Sequence, residues 1–219
     1  MEKKLSTGSE KLDAFLDGGY EHSVITTIFG PSGTGKTTAC LLAAISASKS
    51  GKVIFIDSEG GFSTERLKQL APDYEKVLER IFLLKPTTFD EQKHFFDSID
   101  KTIPKNVSLV ICDTISSLYR VERGDDNRNL NAELGKQLGK LLEISRKSSI
   151  PVLVTNQVYA DFDDRTKVKM VGGDIITYNS KCLIEFQPLS RNRRRAVMKK
   201  HRSIPEREIE FEIKQEGIC

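Results

Sequence analysis

Apolar and polar positions along this 219-residue chain follow two rhythms that alternate almost from the start. "HSVITTIFG" (22–30) is a β-branched run closed by glycine and predicts a strand. "TTACLLAAISASKSG" (37–51) continues with helical spacing, and Gly51 marks its end. "KVIFIDSEG" (52–60) and "RIFLLKP" (80–86) predict two more strands, with helical "TERLKQL" (64–70) between them. "FDEQKHFFDSIDK" (89–101) reads as a helix, and Pro104 separates it from the buried strand "SLVICD" (108–113). In "NAELGKQLGKLLEISRK" (131–147), Leu134, Leu138, Leu141 and Leu142 fall on one helical face. Ser-Ser-Ile-Pro then leads into the strand "VLVTNQV" (152–158).

Strands alternating with helices of this length predict an α/β fold: a mostly parallel, twisted sheet flanked by helices on both faces. The last quarter changes character. "KCLIEFQPL" (181–189), "RRRAVMKKH" (193–201) and "EREIEFEIK" (206–214) follow one another as strands, the last alternating at Ile209, Phe211 and Ile213. Antiparallel strands completing the sheet are the expectation. With no internal repeat and no linker-like segment, residues 1–219 are read as one domain.

Composition narrows the class. Lys and Arg number 34 against 31 Asp and Glu, a formal charge of +3, so any case for nucleic acid must come from local clusters. Cys40, Cys112, Cys182 and Cys219 form no C-x-x-C pair, which fits reduced thiols rather than disulfides or a metal site. No apolar run approaches the ~18–20 residues of a membrane span. A cytoplasmic protein without a membrane partner is expected.

The strongest chemical signal is "GPSGTGKTT". Residues 30–37 match G-x-x-x-x-G-K-[ST] between a predicted strand and a predicted helix, the context the phosphate-binding loop requires. Gly30, Pro31, Ser32, Gly33, Thr34 and Gly35 form the loop, and Lys36, Thr37 and Thr38 open the helix. Glycines let backbone N–H groups curl around phosphate oxygens at a helix N-terminus that favours negative charge. Lys36 would reach the β and γ phosphates, and the Thr37 hydroxyl would hold Mg²⁺. Asp113, closing an apolar strand, is the expected acid orienting the metal. Glu59, after another strand, is positioned to polarise an attacking water. Gln157, ending a third, would sense a γ-phosphate and pass the difference to the following loop.

Taken together, "GPSGTGKTT", "FIDSEGGFSTERL", "LVICDTISSLYR", "PVLVTNQVYADF" and "GGDIITYNSKCLIEF" resemble, in order and spacing, the ATPase core of the RecA/RadA recombinase family. The resemblance implies a RecA-like P-loop fold using ATP and Mg²⁺. It assigns Lys36 and Thr37 as Walker A ligands, Asp113 as the Walker B acid, Glu59 as the water-activating carboxylate and Gln157 as the switch. It also implies that Arg66 covers the adenine. Two DNA loops map to 120–131 and 159–171, carrying Arg120, Arg123, Arg128, Arg165, Lys167 and Lys169. Acids enter both, at Asp125, Asp126, Asp161, Asp163 and Asp164, unlike a strand-exchange recombinase.

Only a few residues precede the first helix, so no N-terminal helix-hairpin-helix domain or Phe-x-x-Ala polymerisation linker is expected. "KKHRSIPE" stands where the family carries an Asp-Ser-Pro cap. The chain is thus similar to a short archaeal paralogue of RadA. The implied role is an ATP- and DNA-binding accessory of homologous recombination and DNA repair, with weak DNA-dependent ATPase and no robust strand exchange. The resemblance suggests contact with RadA recombinase, a Holliday-junction resolvase or a replicative polymerase, and leaves a homodimer open. A regulatory RecA-like signalling ATPase not acting on DNA is the alternative, and an ATP-driven motor a third reading.

Apart from the loops, "RNRRRAVMKKHR" (191–202) is the one basic run without an internal acid. Arg191, Arg193, Arg194, Arg195, Lys199 and Lys200 are therefore further candidates for phosphate contacts. Tyr159 and Phe162 are candidates for stacking on bases.

Overall fold

The computed structural model describes residues 4–122, 124, 127–160, 168–190 and 192–219. The chain opens with β1 (Lys4–Leu5), α1 (Glu10–Phe15) and β2 (Tyr20–Glu21), then runs β3 (Ile25–Phe29), α2 (Lys36–Ser48) and β4 (Lys52–Asp57). α3 (Thr64–Leu70), α4 (Tyr74–Leu78), β5 (Ile81–Leu84), α5 (Phe89–Thr102) and β6 (Val107–Asp113) follow. Next come α6 (Ser117–Val121), α7 (Arg128–Ser148), β7 (Val152–Asn156), β8 (Val158–Ala160), β9 (Val168–Met170) and α8 (Gly173–Asn179). The chain ends with β10 (Cys182–Pro188), β11 (Arg193–Lys200), β12 (Glu208–Lys214) and β13 (Gly217–Ile218).

Nine strands form one sheet in the order β13-β12-β11-β10-β3-β7-β6-β4-β5. The pairings from β10 to β5 are parallel, and those from β10 through β13 are antiparallel. The antiparallel finish therefore begins at β11, because β10 pairs in parallel with β3 while accepting β11 on its other edge.

The middle strands carry unbroken apolar runs because both faces are covered. Val53, Phe55, Leu109 and Ile111 point into one core with α1, α2, α3 and α4. Ile54, Ile56, Val110 and Cys112 point into the other with α5, α6, α7 and α8. Leu134, Leu138 and Leu141 are fully buried along α7, as the helical spacing predicts, while Leu142 packs at the margin. Truncating any of the first three to Ala should cost about 2–5 kcal/mol.

Helix starts are set locally. Ser63 accepts a hydrogen bond from the Arg66 N–H at 3.1 Å, and Thr88 from the Glu91 N–H at 3.1 Å. Parallel pairing brings the carboxyl ends of β3, β4, β6 and β7 to one sheet edge, the place where α/β folds bind ligands.

Candidate nucleotide-binding site

At that edge β3 gives way to the glycine loop. Gly30 has φ +154°, and a Cβ there would stand 2.1 Å from the Phe186 carbonyl oxygen on β10. Only a residue without a side chain lets the loop pass this close to the neighbouring strand. Gly35, the N-cap of α2, has φ +98°, and a Cβ would meet Ile213 Cδ1 at 2.5 Å. Thr34 is buried and donates its hydroxyl to the Pro31 carbonyl at 2.8 Å. Ser32 and Gly33 are exposed at the loop's crest.

Lys36 is only 7% exposed and donates its ammonium to the Gly30 and Pro31 carbonyls, both at 2.9 Å. Burial lowers its pKa, opposed by the carboxylates of Glu59 and Asp113. Thr37 donates its hydroxyl to Asp113 Oδ2 at 2.7 Å, and Thr155 on β7 donates to Oδ1 of the same carboxylate. Asp113 is 1% exposed, and desolvation raises its pKa against those two hydrogen bonds, with Glu59 and Asp57 adding to the rise. The first turn of α2 and the ends of β6 and β7 thus meet at Asp113. Thr155 is an addition, invisible in sequence because its hydroxyl sits inside an apolar run.

Asp57 is a second addition. Buried at the end of β4, it accepts from the Gly61 N–H at 2.9 Å and the Phe62 N–H at 3.1 Å. This carboxylate cinches the turn bearing Glu59, while the Ser58 N–H donates to the Asp113 carbonyl at 3.0 Å. The exposed Glu59 side chain accepts a hydrogen bond from the Gln157 amide. Arg66 lies on α3 and donates to the carbonyls of Lys214 at 2.7 Å and Gln215 at 3.0 Å. Thr38 is half-buried on the first turn of α2.

Gln157 also leads away from the nucleotide edge. Its carbonyl accepts the Val171 N–H at 3.2 Å, and Asn156 donates its amide to the Val171 carbonyl at 2.9 Å. These bonds fix the base of the β8–β9 hairpin. Beside it lies a cavity of about 580 Å³ lined by Tyr119, Asn131, Tyr159, Lys169 and the Gly172–Gly173 entry to α8. Arg120 is exposed on α6 and Arg128 opens α7. Arg123, Arg165, Lys167 and Arg191, with Phe162 and Asp125, Asp126, Asp161, Asp163 and Asp164, lie outside the described residues.

The basic run separates into two faces. Arg193 pairs with Glu210 at 3.1 Å, Arg195 with Glu208 at 3.4 Å and Glu210 at 3.3 Å, and Lys199 with Glu185 at 3.7 Å. Although the run holds no acid, β10 and β12 supply carboxylates across the sheet. Lys200 donates to the Thr177 carbonyl at 2.7 Å. Arg194 points the other way, onto the face of Ala196 and Met198, and donates to the Gly33 carbonyl at 3.2 Å. A candidate DNA contact in sequence therefore stands at the nucleotide loop.

The family model described as Rad51 matches residues 3–219. The chain belongs to the Rad51 family. Within that family it is 42% identical to the DNA repair and recombination protein RadB of Methanobrevibacter smithii, over 98% of this chain and 95% of that one. It is 41% identical to the RadB of Thermococcus onnurineus, over 98% and 96%. A crystal structure described as that of the RadB recombinase superposes with a TM-score of 0.85 at 40% identity, covering 98% of both chains. The RecA/Rad51-like architecture follows from these matches and the sheet order. Among the described residues no helix is long and apolar enough to cross a membrane.

The donor set fits a magnesium nucleotide. A glycine loop at a helix N-terminus, a buried lysine, and a hydroxyl beside a buried carboxylate are what a polyphosphate and its Mg²⁺ require of a Rad51-family chain. When bound, the magnesium nucleotide would supply an electrophilic phosphorus and a charge-neutralising cation. Lys36 and Thr37 would hold the phosphates and metal. Asp113 would orient Thr37 and the metal's water, Glu59 would take a proton from the attacking water, and Gln157 would keep the Glu59 carboxylate in place.

Proposed function

We propose that this protein is an ATP- and DNA-binding accessory of homologous recombination and DNA repair. It hydrolyses ATP slowly and does not carry out robust strand exchange. The observation that carries this reading is the continuous path from Glu59 through Gln157 to Val171 and the β8–β9 hairpin. It joins the carboxylate that would act on ATP to the cavity holding Tyr159 and Lys169. Tyr159 is 39% exposed there, available to stack, and Lys169 lies opposite it in the hairpin register. Similarity to proteins named for DNA repair and recombination supports the biological setting. RadA recombinase, a Holliday-junction resolvase and a replicative polymerase remain the proposed protein partners, in the cytoplasm.

The test is DNA binding by fluorescence anisotropy across a salt series, with ATP–Mg²⁺, ADP–Mg²⁺ and no nucleotide. The expected affinity falls with salt, with a log–log slope of about −0.7 per phosphate contacted on single strands. Lys169→Glu should flatten that slope, and Tyr159→Ala should weaken binding by about 1–3 kcal/mol if a base stacks there. DNA affinity that is absent at low salt would overturn the reading in favour of a signalling ATPase. Vigorous strand exchange by the purified protein would overturn the accessory assignment.

A further inference from the structure

Two cations, not one, rest on the carbonyls of the glycine loop. Lys36 holds those of Gly30 and Pro31, and Arg194 holds that of Gly33. The motif identifies the first as a phosphate ligand and says nothing of the second, which arrives from β11 more than 150 residues later, at a sequence separation of 161.

The strand places Arg194 with care. Its neighbours Arg193 and Arg195 lie on the opposite face of the sheet and are matched by Glu208 and Glu210. Arg194 shares the face of Ala196 and Met198, whose burial against α2 keeps the register from slipping. Its remaining bond among the described residues runs to the Asn192 carbonyl in the β10–β11 turn. Both acceptors are neutral carbonyl oxygens, so no carboxylate among the described residues cancels its charge. A guanidinium keeps that charge at any physiological pH and offers five donors, so it can bridge a backbone carbonyl and a phosphate together. The space beside Gly33 is open: a Cβ built there would meet nothing within 4 Å. Against Lys36 stand the carboxylates of Glu59 and Asp113. A polyphosphate adds further negative charge, which a second protein cation would meet together with Lys36, the loop N–H groups and the metal.

We propose that Arg194 is a phosphate-contacting residue of the nucleotide site, supplied by the chain that binds the nucleotide rather than by a second copy. This deepens the nucleotide-binding reading above and rests on it. In this arrangement the guanidinium turns about its terminal bonds to donate to the polyphosphate while its stem stays on β11. The positive charge that other phosphoryl-transfer sites take from a partner's arginine is then present in the monomer.

The experiment measures the affinity of the full-length chain for a non-hydrolysable ATP analogue and for inorganic tripolyphosphate. It uses wild type, Arg194→Ala, Arg194→Lys and, as a same-strand control, Arg195→Ala. Arg194→Ala should weaken both ligands by about tenfold or more and by the same factor, since the contact is to phosphate and not to adenine. Arg194→Lys should recover part of the loss, and Arg195→Ala should bind both ligands as wild type does. Wild-type affinity should not change with protein concentration. A thermal midpoint of ligand-free Arg194→Ala equal to that of wild type separates a lost contact from a disturbed loop. Wild-type affinity in Arg194→Ala would overturn the proposal and leave the nucleotide site intact, as would a loss confined to the analogue. Failure of the wild-type protein to bind either ligand would overturn the nucleotide reading and this inference together.

Discussion

The side-chain amide of Gln157 donates to Oε1 of Glu59, 98 positions earlier in the chain, joining the ends of β7 and β4 across β6. The same residue's carbonyl accepts the Val171 N–H, so one short segment touches both the Glu59 carboxylate and the hairpin base. Glu59→Gln keeps an oxygen acceptor for Gln157 but no longer takes a proton. It should preserve nucleotide binding and lower ATP turnover by about two orders of magnitude. Gln157→Ala removes the link from Glu59 to the hairpin instead. It should leave ATP affinity near wild type and abolish any difference in DNA affinity between ATP and ADP. Steady-state turnover and anisotropy on the two variants check this pair, and unchanged coupling in Gln157→Ala would place the link elsewhere.

Lys36→Ala removes the buried donor to two loop carbonyls as well as the proposed phosphate ligand. Affinity for ATP should fall about 100-fold or more, in keeping with several charge-assisted hydrogen bonds lost at once. Titration calorimetry is the direct measurement, and retained tight binding would refute the loop assignment.

Asp57 makes its two hydrogen bonds to the Gly61 and Phe62 backbone from a buried position. Asp57→Ala leaves those N–H groups without their charged acceptor and frees the turn that aims Glu59. A loss of about 1–3 kcal/mol in stability is expected, together with a fall in turnover larger than any change in ATP affinity. Denaturant unfolding and single-turnover hydrolysis on the same preparation separate the two effects.

The start and the crest of the glycine loop should tolerate substitution differently. Gly30→Ala drives a methyl group to 2.1 Å from the Phe186 carbonyl, so β10 or the loop must move. It should cost about 2 kcal/mol or more and reduce nucleotide affinity. Gly33→Ala meets open space and carries only the strain of φ +75°, about 1 kcal/mol. Comparing the two midpoints in urea tests whether close approach, rather than glycine as such, sets the requirement.

His201 supplies a pH dependence. Its side chain is 2% exposed, and Nδ1 accepts from the Ser203 and Ile204 N–H groups at 3.1 and 3.0 Å, with Nε2 3.8 Å from Glu21. Burial holds its pKa below the ordinary 6.5, partly offset by Glu21, with Lys4 and Arg202 lowering it further and Asp17 opposing them. Between that lowered value and 6.5 the unfolded chain binds more protons than the fold. Stability should therefore rise with pH through the window and be lost as pH falls through it. His201→Asn, which keeps an acceptor for the turn, should flatten the thermal midpoint between pH 7 and 5. An unaltered slope would assign the dependence to other groups.

Most of the α/β scaffold was legible because its long elements bury regular apolar patterns. The runs at 25–29, 52–57, 107–113 and 152–156 have no polar face to hide, and the leucines of α7 recur at helical spacing. The short elements α4, α6, α8 and the β8–β9 hairpin were not legible. Each is fixed by contacts with distant segments and not by a local period. The ion pairs of the basic run at 191–202 were hidden for a related reason. A strand shows alternate residues to opposite faces, and Arg193 and Arg195 meet their glutamates 13–17 positions further along the chain.

What the sequence determined by itself was chemistry bound to local backbone: a glycine loop opening a helix, a carboxylate closing a strand, and the strand-helix alternation. These depend on residues within a few positions of each other, where φ/ψ preference and periodicity act directly. The tertiary structure decided which groups meet: Thr155 with Asp113, Asp57 beneath Glu59, Gln157 on Glu59, and Arg194 at Gly33 instead of among its neighbouring arginines. Those pairings follow from strand order and register, which are set by how two whole cores pack on one sheet and not by any stretch of the chain alone.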